Sequence, residues 1–262
     1  MRICVLGSGS KGNATYIESA GAAILIDNGF SGREVEKRLA AIGASGAGLS
    51  AILVTHEHGD HVRGVGVLSR KWRLPVFANR ETVAAAGELL GRLHDLREIS
   101  TGTPFTTGDL RVHPFAVSHD AADPMGFVVA NGNWRVGYCT DTGTVSRLMR
   151  QRLSGCDCLI LESNHDPELL RNGPYPPALQ QRVRSKTGHL ANQTAADFLA
   201  ELDHAHLQHV CLAHLSAANN RPELALRVAA EVLRRPASDA NRPPFLSVAH
   251  QDRVGHCFVL SS

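Results

Sequence analysis

A run of metal-binding side chains lies between residues 55 and 61, where the sequence reads Thr-His-Glu-His-Gly-Asp-His. Imidazole nitrogens and carboxylate oxygens are both good ligands for zinc, manganese and iron. The run follows a short apolar stretch, so we expect it to leave the end of a strand. If the chain is extended up to a tight turn at Gly59, His56 and His58 would point one way and Asp60 and His61 another, which suits two neighbouring metal ions. The alternative is a polar turn that happens to be rich in histidine.

Four later apolar runs each lead to another side chain that can bind a metal ion. The runs are strand-like, and site residues in α/β proteins collect where strands end and loops begin. Their ends carry, in chain order, His119, Asp141, Glu162 and His214. Five such endings are hard to explain by chance, so we predict that they meet at one site. The seven candidate ligands are His56, His58, Asp60, His61, His119, Asp141 and His214.

The first third of the sequence predicts antiparallel strands rather than a dinucleotide-binding unit. Residues 7–12 read Gly-Ser-Gly-Ser-Lys-Gly and fit GxGxxG, but that motif needs a helix directly after it. Strand-like runs follow instead, over residues 13–18 and 22–26. The glycine loop is then either a plain hairpin turn or a turn beside the site, since backbone amides in such turns can hold anions.

Periodicity and capping residues predict the remaining elements. Helices are expected over residues 32–39, 80–93 and 193–202, the last capped by Asn192, and from Pro222 onward; strands are expected over 74–78 and 254–260, with a loop at 234–244. The stretch 166–190 differs, because its prolines at 174–177 exclude a regular helix or a central strand there. Arg182, Arg184 and Lys186 follow, so this stretch predicts a lid or a binding loop.

Composition limits the class of protein. The chain has 262 residues, 43% of them hydrophobic, and we expect one α/β domain over residues 1–262. Its net charge of +2 gives no global field directed at nucleic acid or membranes. The six cysteines form no CxxC pair, which predicts buried, reduced thiols in a cytoplasmic protein. The sequence shows no signal peptide and no apolar run near the ~18 residues of a membrane span, so we expect neither export nor a span.

The order of the candidate ligands resembles that of the metallo-β-lactamase-fold hydrolases. That family has an HxHxDH motif followed by a lone His, a lone Asp and a final His. Residues 56–61, His119, Asp141 and His214 match this order, and Asp27 stands where the first Asp of the fold usually stands. The resemblance spans nearly the whole chain and implies a four-layer αββα sandwich of the α/β class, with the site along one edge between the sheets.

The second half of the chain is similar to a narrower group, the YycJ/WalJ-like bacterial branch. The similar segments are residues 162–166, 173–176, 188–192 and 213–216, followed by Asn219 and Asn220. That branch is described as phosphodiesterase-like, and its members are proposed to be DNA exonucleases. The resemblance therefore implies nucleic acid as the substrate.

Carried over by position, the resemblance implies two divalent ions, zinc or manganese, with iron as a further option. The implied ligands are His56, His58 and His119 for the first ion, Asp60, His61 and His214 for the second, and Asp141 as the bridge. Two ions about 3.5–4 Å apart lower the pKa of a shared water, so hydroxide becomes available near neutral pH. Asp60 thereby also counts as a catalytic residue. Two further histidines near the 166–190 stretch, His189 and His165, are the candidates for giving a proton to the leaving oxygen; the alternative for either is a surface or structural role.

Departures from related families narrow the chemistry. Oxygen-reducing diiron relatives have Glu where His58 stands, and the main antibiotic-hydrolysing lactamases lack an Asp at position 141, so both activities are disfavoured. Longer RNA-processing members carry an inserted domain for which this chain has no room. The HExxH motif is absent because Asp60 replaces its second His. Glu57 is therefore expected to be exposed or to support a ligand, not to act as a base.

Two function classes remain open. The first is a dinuclear phosphodiesterase or exonuclease acting on nucleic acid, which the basic residues at 182–186 support. The second is a small-molecule hydrolase on the same site, such as a glyoxalase II-type thioesterase or a cyclic phosphodiesterase. A structural metal protein is more distant, because structural zinc sites usually have four ligands and no open position. Salt separates the first two, since nucleic-acid binding weakens steeply as salt is added.

Overall fold

Two mixed β-sheets form the centre of the molecule, seen in a computed structural model that describes residues 1–233 and 242–260. Each sheet has seven strands within those residues. The strands are β1 (Arg2–Gly7), β2 (Ala14–Glu18), β3 (Ala23–Ile26), β4 (Ala51–Leu53), β5 (Pro75–Ala78), β6 (Asp95–Glu98), β7 (Phe105–Thr107), β8 (Leu110–Ala116), β9 (Met125–Asn131), β10 (Trp134–Cys139), β11 (Cys158–Glu162), β12 (His209–Ala213), β13 (Phe245–Val248) and β14 (Cys257–Val259).

Each sheet is antiparallel at one side and parallel at the other. The first has the order β14-β1-β2-β3-β4-β5-β6, and the second has the order β13-β12-β11-β10-β9-β8-β7. The predicted meander of β1, β2 and β3 is confirmed as antiparallel, and β3, β4, β5 and β6 then run parallel. In the second sheet β10, β11, β12 and β13 are parallel. Parallel neighbours end on the same side, so their carboxyl ends bring polar side chains together.

Helices cover the outer faces of both sheets. They are α1 (Gly32–Ala41), α2 (Gly59–Val62), α3 (Val65–Trp72), α4 (Arg80–Ala86), α5 (Arg147–Leu153), α6 (Pro167–Asn172), α7 (Pro177–Val183), α8 (Asn192–Leu202) and α9 (Pro222–Val232). Single 3₁₀ turns occur at Gly46–Gly48 and Gly87–Leu89. No described helix is both long and apolar enough to cross a membrane.

Three apolar cores hold these layers together. The inner core lies between the sheets, where side chains such as Ile24 of β3 and Phe127 of β9 are fully buried. One outer core packs α1 and α3 onto the first sheet, with Leu39 buried. The other packs α5, α8 and α9 onto the second sheet around Phe198. Strand residues buried on both faces explain the continuous apolar runs in the sequence. The four-layer αββα arrangement is therefore confirmed.

Several local predictions were wrong or lie outside the described residues. The helix predicted over 80–93 stops at Ala86, because Gly87 has a φ of 47° that ends it. The stretch 166–190 is less irregular than predicted, because it contains α6 and α7, each with a proline in its first turn, where no backbone donor is lost. Pro177 thus begins a helix, residues 173–176 lie between the helices as predicted, and a binding role for the stretch stays a prediction. Asn192 begins α8, and Ala191 holds the cap position. Of the predicted loop at 234–244, residues 234–241 lie outside the described part of the chain.

The prediction of six reduced thiols was wrong for two of them. Cys4 on β1 and Cys257 on β14 face each other across the antiparallel pair and are joined as a disulfide. The other four cysteines are buried and free. Their positions on or beside the strands of the second sheet agree with the apolar environment that was predicted for them.

Candidate metal centre

The candidate ligands lie together at one edge of the sandwich, beyond the carboxyl ends of five strands. β4 leads to the His-rich loop, β8 leads to His119, β10 leads to Asp141 and β12 leads to His214, while β11 ends with Glu162 itself. These strands belong to both sheets, so the edge between the sheets collects residues far apart in sequence. The predicted meeting of the strand ends at one place is observed.

Three histidines form the first group of potential ligands. Nε2 of His56 lies 3.1 Å from Nδ1 of His58, and Nε2 of His119 lies 3.3 Å from the same nitrogen. One ligand atom from each side chain lies within 4.8 Å of those of the other two, which is close enough for one ion. These are the residues that the sequence assigned to the first metal.

Asp60, His61 and His214 form the second group. Oδ2 of Asp60 lies 3.5 Å from Nε2 of His61 and 3.5 Å from Nε2 of His214. The first turn of α2 explains this placement, because it carries Asp60 and His61 away from the direction in which His56 and His58 project. The predicted separation of Asp60 and His61 from His56 and His58 is therefore seen, and a helix produces it where a tight turn was predicted.

Asp141 lies between the two groups. Its Oδ2 is 3.4 Å from Nε2 of His61, and its Oδ1 is 3.4 Å from Nε2 of His214 and 3.9 Å from Nε2 of His119. A carboxylate in this position reaches both sets of ligands at once. This geometry is the one that a bridging role requires, and the role itself stays a prediction.

The donor atoms fit a divalent cation. Oδ2 of Asp141 and Nε2 of His214 are both buried, and neither has a hydrogen-bond partner among the described residues. Leaving buried polar atoms unpaired costs about 1–3 kcal/mol each, so such atoms call for a partner that is not another side chain. The donors are imidazole nitrogens and carboxylate oxygens, which suit zinc, manganese and iron.

Backbone strain marks the same region. Asp27, Asp141 and His214 have φ angles of 60°, 57° and 56°, and they are three of the four described non-glycine residues in the left-handed region. Each such residue costs of the order of 1–3 kcal/mol unless its surroundings hold it. The left-handed turn directly after a strand directs these side chains to the centre.

Asp27, on the turn after β3, holds one histidine ring and the start of the His-rich loop. Its carboxylate accepts hydrogen bonds of 2.8 Å from the backbone and the hydroxyl of Thr55, and its Oδ2 lies 2.8 Å from Nδ1 of His61. With Nδ1 paired, Nε2 of His61 is left to face the centre. Carboxylates that bind the second nitrogen of a histidine fix its orientation and raise its basicity.

The glycine loop between β1 and β2 also borders the centre. Nδ2 of Asn13 lies 3.0 Å from Nε2 of His61 and 3.2 Å from Oδ2 of Asp60. The hydroxyl of Ser8 accepts a 2.9 Å hydrogen bond from the backbone N–H of His214. Of the two alternatives for this loop, a position beside the site is observed, because it supports residues of the second group. Sequence reasoning missed Asn13 itself.

Glu162 is a further residue whose role sequence reasoning missed. It is fully buried, and its Oε1 lies 2.7 Å from Nδ1 of His189 and 3.4 Å from Nδ1 of His214. Its Oε2 accepts from the backbone N–H groups of Thr142 and Leu190 at 2.9 and 3.2 Å. The sequence signal that could have indicated this role is the position of Glu162 at the end of a predicted strand.

The two histidines considered as proton donors lie in different surroundings. His189 belongs to a third group of potential ligands with Asp141, Glu162 and His214, and burial opposes its charge while Glu162 raises its pKa. His165 is buried, its Nδ1 has no described hydrogen-bond partner, and it belongs to none of the candidate groups among the described residues. Burial lowers the pKa of His165 to about 4.

Charges around the centre shift the pKa values of the ligands in opposite directions. Burial lowers the pKa of His56 well below its ordinary value, and the charges of neighbouring histidines add to this effect. Burial also opposes the charge of His214, but Asp141 and other nearby carboxylates raise its pKa to about 10. Burial is outweighed at His61 as well, where Asp141 and Asp27 raise the pKa. The carboxylates therefore favour positive charge at this place, and a bound cation would supply such a charge.

Glu57 is half-buried within the His-rich loop. Its Oε1 accepts a 2.8 Å hydrogen bond from the backbone N–H of Ala122, in the loop that follows His119. The contact ties the loop carrying His56 and His58 to the loop carrying His119. A supporting position agrees with one of the two alternatives stated for Glu57.

The fold and the centre define a class of protein, and a family match agrees with it. Residues 22–215 match the Beta-lactamase superfamily domain. The match covers the His-rich loop, Asp141 and His214. The chain therefore belongs to the metallo-β-lactamase superfamily of metal-dependent hydrolases.

Comparison with individual proteins places the chain more narrowly. It is 41% identical over 235 residues to exodeoxyribonuclease YycJ of Bacillus anthracis, which covers 89% of each protein. It is 38% identical over 225 residues to exodeoxyribonuclease WalJ of Streptococcus pneumoniae serotype 2 (strain D39), covering 84% of each. The metallo-β-lactamase fold protein YhfI of Bacillus subtilis has the same fold, with a TM-score of 0.75 at 16% identity over 98% of this chain and 99% of that one.

Proposed function

We propose that this protein is an exodeoxyribonuclease that hydrolyses phosphodiester bonds at a centre holding two divalent ions, zinc or manganese. The observation that carries the proposal is the position of Asp141. Its carboxylate oxygens lie within 3.4 Å of His61 and His214 and within 3.9 Å of His119, so one side chain reaches both ligand groups. His56, His58 and His119 would hold one ion. Asp60, His61 and His214 would hold the other.

DNA is the proposed substrate because of the relatives. Two proteins named exodeoxyribonuclease match over more than four-fifths of this chain and of their own length, at 41% and 38% identity. The matched regions include every candidate ligand and the segment with α6 and α7. An exposed arginine of that segment, Arg182, lines the pocket beside the centre, where a phosphate group can be bound.

Divalent ions, when bound, supply Lewis acidity that activates water and neutralises charge on a phosphoryl group. The chain supplies the rest. His189 lines the pocket, and since its Nδ1 is paired with Glu162, its Nε2 is the nitrogen left to donate a proton to the leaving oxygen. Glu162 favours the protonated ring and fixes its orientation. His165, buried and neutral near pH 7, is the weaker candidate.

The proposal is tested with metal-loaded protein and a panel of substrates. The panel contains end-labelled single- and double-stranded DNA, RNA, bis-p-nitrophenyl phosphate and a lactoylglutathione thioester. We expect cleavage of DNA from its ends, falling as salt is added, because phosphate contacts dominate nucleic-acid affinity. Cleavage of the thioester alone would contradict the proposal and would favour the small-molecule hydrolase.

The proton donor is tested with two leaving groups. His189→Ala should lower DNA cleavage about 100-fold or more, the usual contribution of a general acid, but should leave bis-p-nitrophenyl phosphate hydrolysis nearly unchanged. Nitrophenolate leaves without a proton, whereas a sugar oxygen needs one. His165→Gln is the matched control and should affect neither substrate strongly. Equal losses of His189→Ala on both substrates, with metal content unchanged, would instead assign His189 a structural role.

A further inference from the structure

A cavity of about 150 Å³ opens directly beside the metal centre. His189 and His214 form one side of it, and residues of the α6–α7 segment form the other. An engineered apolar cavity of about 150 Å³ binds benzene, so this cavity has room for one flat ring.

The wall that the α6–α7 segment contributes is apolar and partly aromatic. Tyr175 lies between α6 and α7, Leu179 lies in the first turns of α7, and Val183 ends that helix; all three line the cavity. Tyr175 and Leu179 are only half-buried in the protein itself, so part of each side chain faces the cavity. Such a surface favours a flat apolar group over a second metal ligand or an acid.

This wall is fixed in place by backbone packing. The hydroxyl of Ser118 donates a 2.8 Å hydrogen bond to the carbonyl of Lys186, just after α7. Gly143 lies so close to the same stretch that a Cβ there would be 2.3 Å from the carbonyl oxygen of Ser185. The cavity is therefore formed before any ligand arrives, which lowers the entropy lost on binding.

A cation lies at the rim, held by an acid that also reaches the centre. Nε of Arg182 donates a 2.6 Å hydrogen bond to Oδ2 of Asp120, whose Oδ1 lies 3.3 Å from Nε2 of His119. This contact uses only one of the five N–H donors of the guanidinium group. Among the described residues, neither Nη atom of Arg182 donates a hydrogen bond. Asp120 thus orients Arg182 with donors left for an anion.

We propose that this cavity binds the terminal nucleotide of a DNA strand. The base lies against Tyr175 and Leu179, and Arg182 binds a phosphate next to the one that is cleaved. The inference rests on the proposed function and extends it, because it names the residues that recognise the strand end. The aromatic wall matches the base, the cation at the rim matches a phosphate, and the metal centre matches the scissile bond of the same strand end.

The base contact is tested by a double-mutant cycle on binding. The probes are short oligonucleotides with phosphorothioate end linkages, either intact or lacking the base at the 5′ or the 3′ end. Tyr175→Ala should weaken binding of the intact strand about 5- to 100-fold, the range that base–aromatic stacking contributes. Removal of the base from the bound end should weaken wild-type binding by a similar factor, but should not weaken Tyr175→Ala further.

Two controls keep this result specific. Tyr175→Phe keeps the ring and should bind like the wild type. An unchanged metal content and an unchanged midpoint of urea unfolding in Tyr175→Ala show that this variant is folded. The end at which base removal couples to Tyr175 identifies the end that enters the cavity. The proposal would be overturned if Tyr175→Ala and removal of the base weakened binding by independent factors. It would also be overturned if removal of the base at either end left wild-type binding unchanged.

The phosphate contact is tested by salt dependence. Arg182→Ala should weaken binding to all sequences and reduce the slope of log K against log salt by about 0.7–0.9, as expected for one phosphate contact. Arg171→Ala is the matched control, because Arg171 lies on α6, pairs with Glu168 and does not line the cavity. Equal slopes for Arg182→Ala and Arg171→Ala would overturn this part.

The two proposals fail separately. Coupling between Tyr175 and a terminal base without any DNA cleavage would leave the cavity assignment standing and would contradict the exonuclease. End-directed DNA cleavage without that coupling would leave the exonuclease standing and would contradict the assignment of the cavity.

Discussion

Two buried histidines lie near opposite ends of strand β12, and their surroundings differ. His214 follows the carboxyl end and lies within 3.5 Å of carboxylate oxygens of Asp60, Asp141 and Glu162. His209 begins the strand, stacks on Phe258 with ring centroids 3.4 Å apart, and its Nε2 lies 2.7 Å from the hydroxyl of Ser247. Both rings are removed from water, at 5% and 2% exposure.

The difference shows that burial alone does not decide the state of a histidine. Burial lowers the pKa of His209 to about 3, with a smaller effect of His256 in the same direction. The same penalty acts on His214, but carboxylates outweigh it and raise the pKa to about 10. One strand therefore carries a neutral, structural histidine at one end and a charge-accepting one at the other. Four substitutions can break or sharpen this contrast.

The largest effect is expected from Asp141→Asn at the carboxyl end. Loss of this charge should reduce the bound metal from two ions to at most one per chain. Turnover should fall by at least about 100-fold, because even residues that only support metal ligands contribute about 10- to 100-fold. Elemental analysis and DNA cleavage measure both quantities.

The matched control for this change is Asp157→Asn at the other end of the second sheet. Asp157 precedes β11, is buried, and accepts a 2.7 Å hydrogen bond from the backbone N–H of Arg135. The Asp157→Asn variant should retain two ions. Two tightly held ions in Asp141→Asn would show that the bridging assignment is wrong.

Glu162→Gln should have the next largest effect. Glutamine preserves the shape of the side chain but removes the negative charge that faces His189 and His214. We expect metal affinity to fall about 10- to 100-fold, measured by competition with a chelator. Glu201→Gln removes a carboxylate that pairs with Arg150 on the exposed surface, outside the candidate ligand groups, and should leave affinity unchanged. If both variants bound metal with equal affinity, Glu162 would not support the metal ligands.

His209→Gln tests the neutral end through pH. The folded pKa of about 3 lies below the unfolded value of about 6.5, so protons bind the unfolded chain first as pH falls. His209 therefore lowers stability below about pH 6.5 and has no effect above it. The wild type should lose about 2 kcal/mol of unfolding free energy between pH 7 and pH 5 from this group, at about 1.4 kcal/mol per pH unit.

Urea unfolding at the two pH values, with a chelator present, measures this loss. His209→Gln should show a pH dependence smaller by that amount, and Glu162→Gln should not show this reduction. An unchanged pH dependence in His209→Gln would mean that the ring is protonated in the folded protein or is not buried in solution.

The smallest effect is expected from Ser247→Ala. The hydroxyl of Ser247 pairs with Nε2 of His209, and loss of one such hydrogen bond costs about 1 kcal/mol. Chemical unfolding near pH 7 measures the change, and metal content should stay the same. A fall in metal content would show that the two ends of β12 are coupled, contrary to the contrast drawn above.

Most of the centre was predictable from sequence because its ligands follow strands. His119, Asp141 and His214 each come one to three residues after an apolar run, and parallel strands end on the same side. The change of direction between His58 and Asp60 depends only on the local backbone, because α2 begins at Gly59. These signals are short-range, so they can be read without the fold.

The remaining features depend on contacts that have no local pattern. Asn13 lies in a glycine-rich turn, and only the return of the chain places it beside His61. Cys4 and Cys257 are 253 residues apart, so nothing in their spacing predicts the bond. His165 comes shortly after the apolar run of β11, whereas His189 follows a polar stretch and a glycine, and neither setting shows which of them contacts Glu162. That choice is made by packing, not by sequence pattern.

The left-handed backbone at Asp27, Asp141 and His214 affects how long the folded protein persists in a cell. Glycine would relax the chain at these positions, but it would remove the side chains on which the centre depends. Cations that bind only the folded form raise its stability by mass action, in proportion to the logarithm of their free concentration. A cell starved of these metals would then lose more than the reaction, because the unfolded fraction available to proteases would grow.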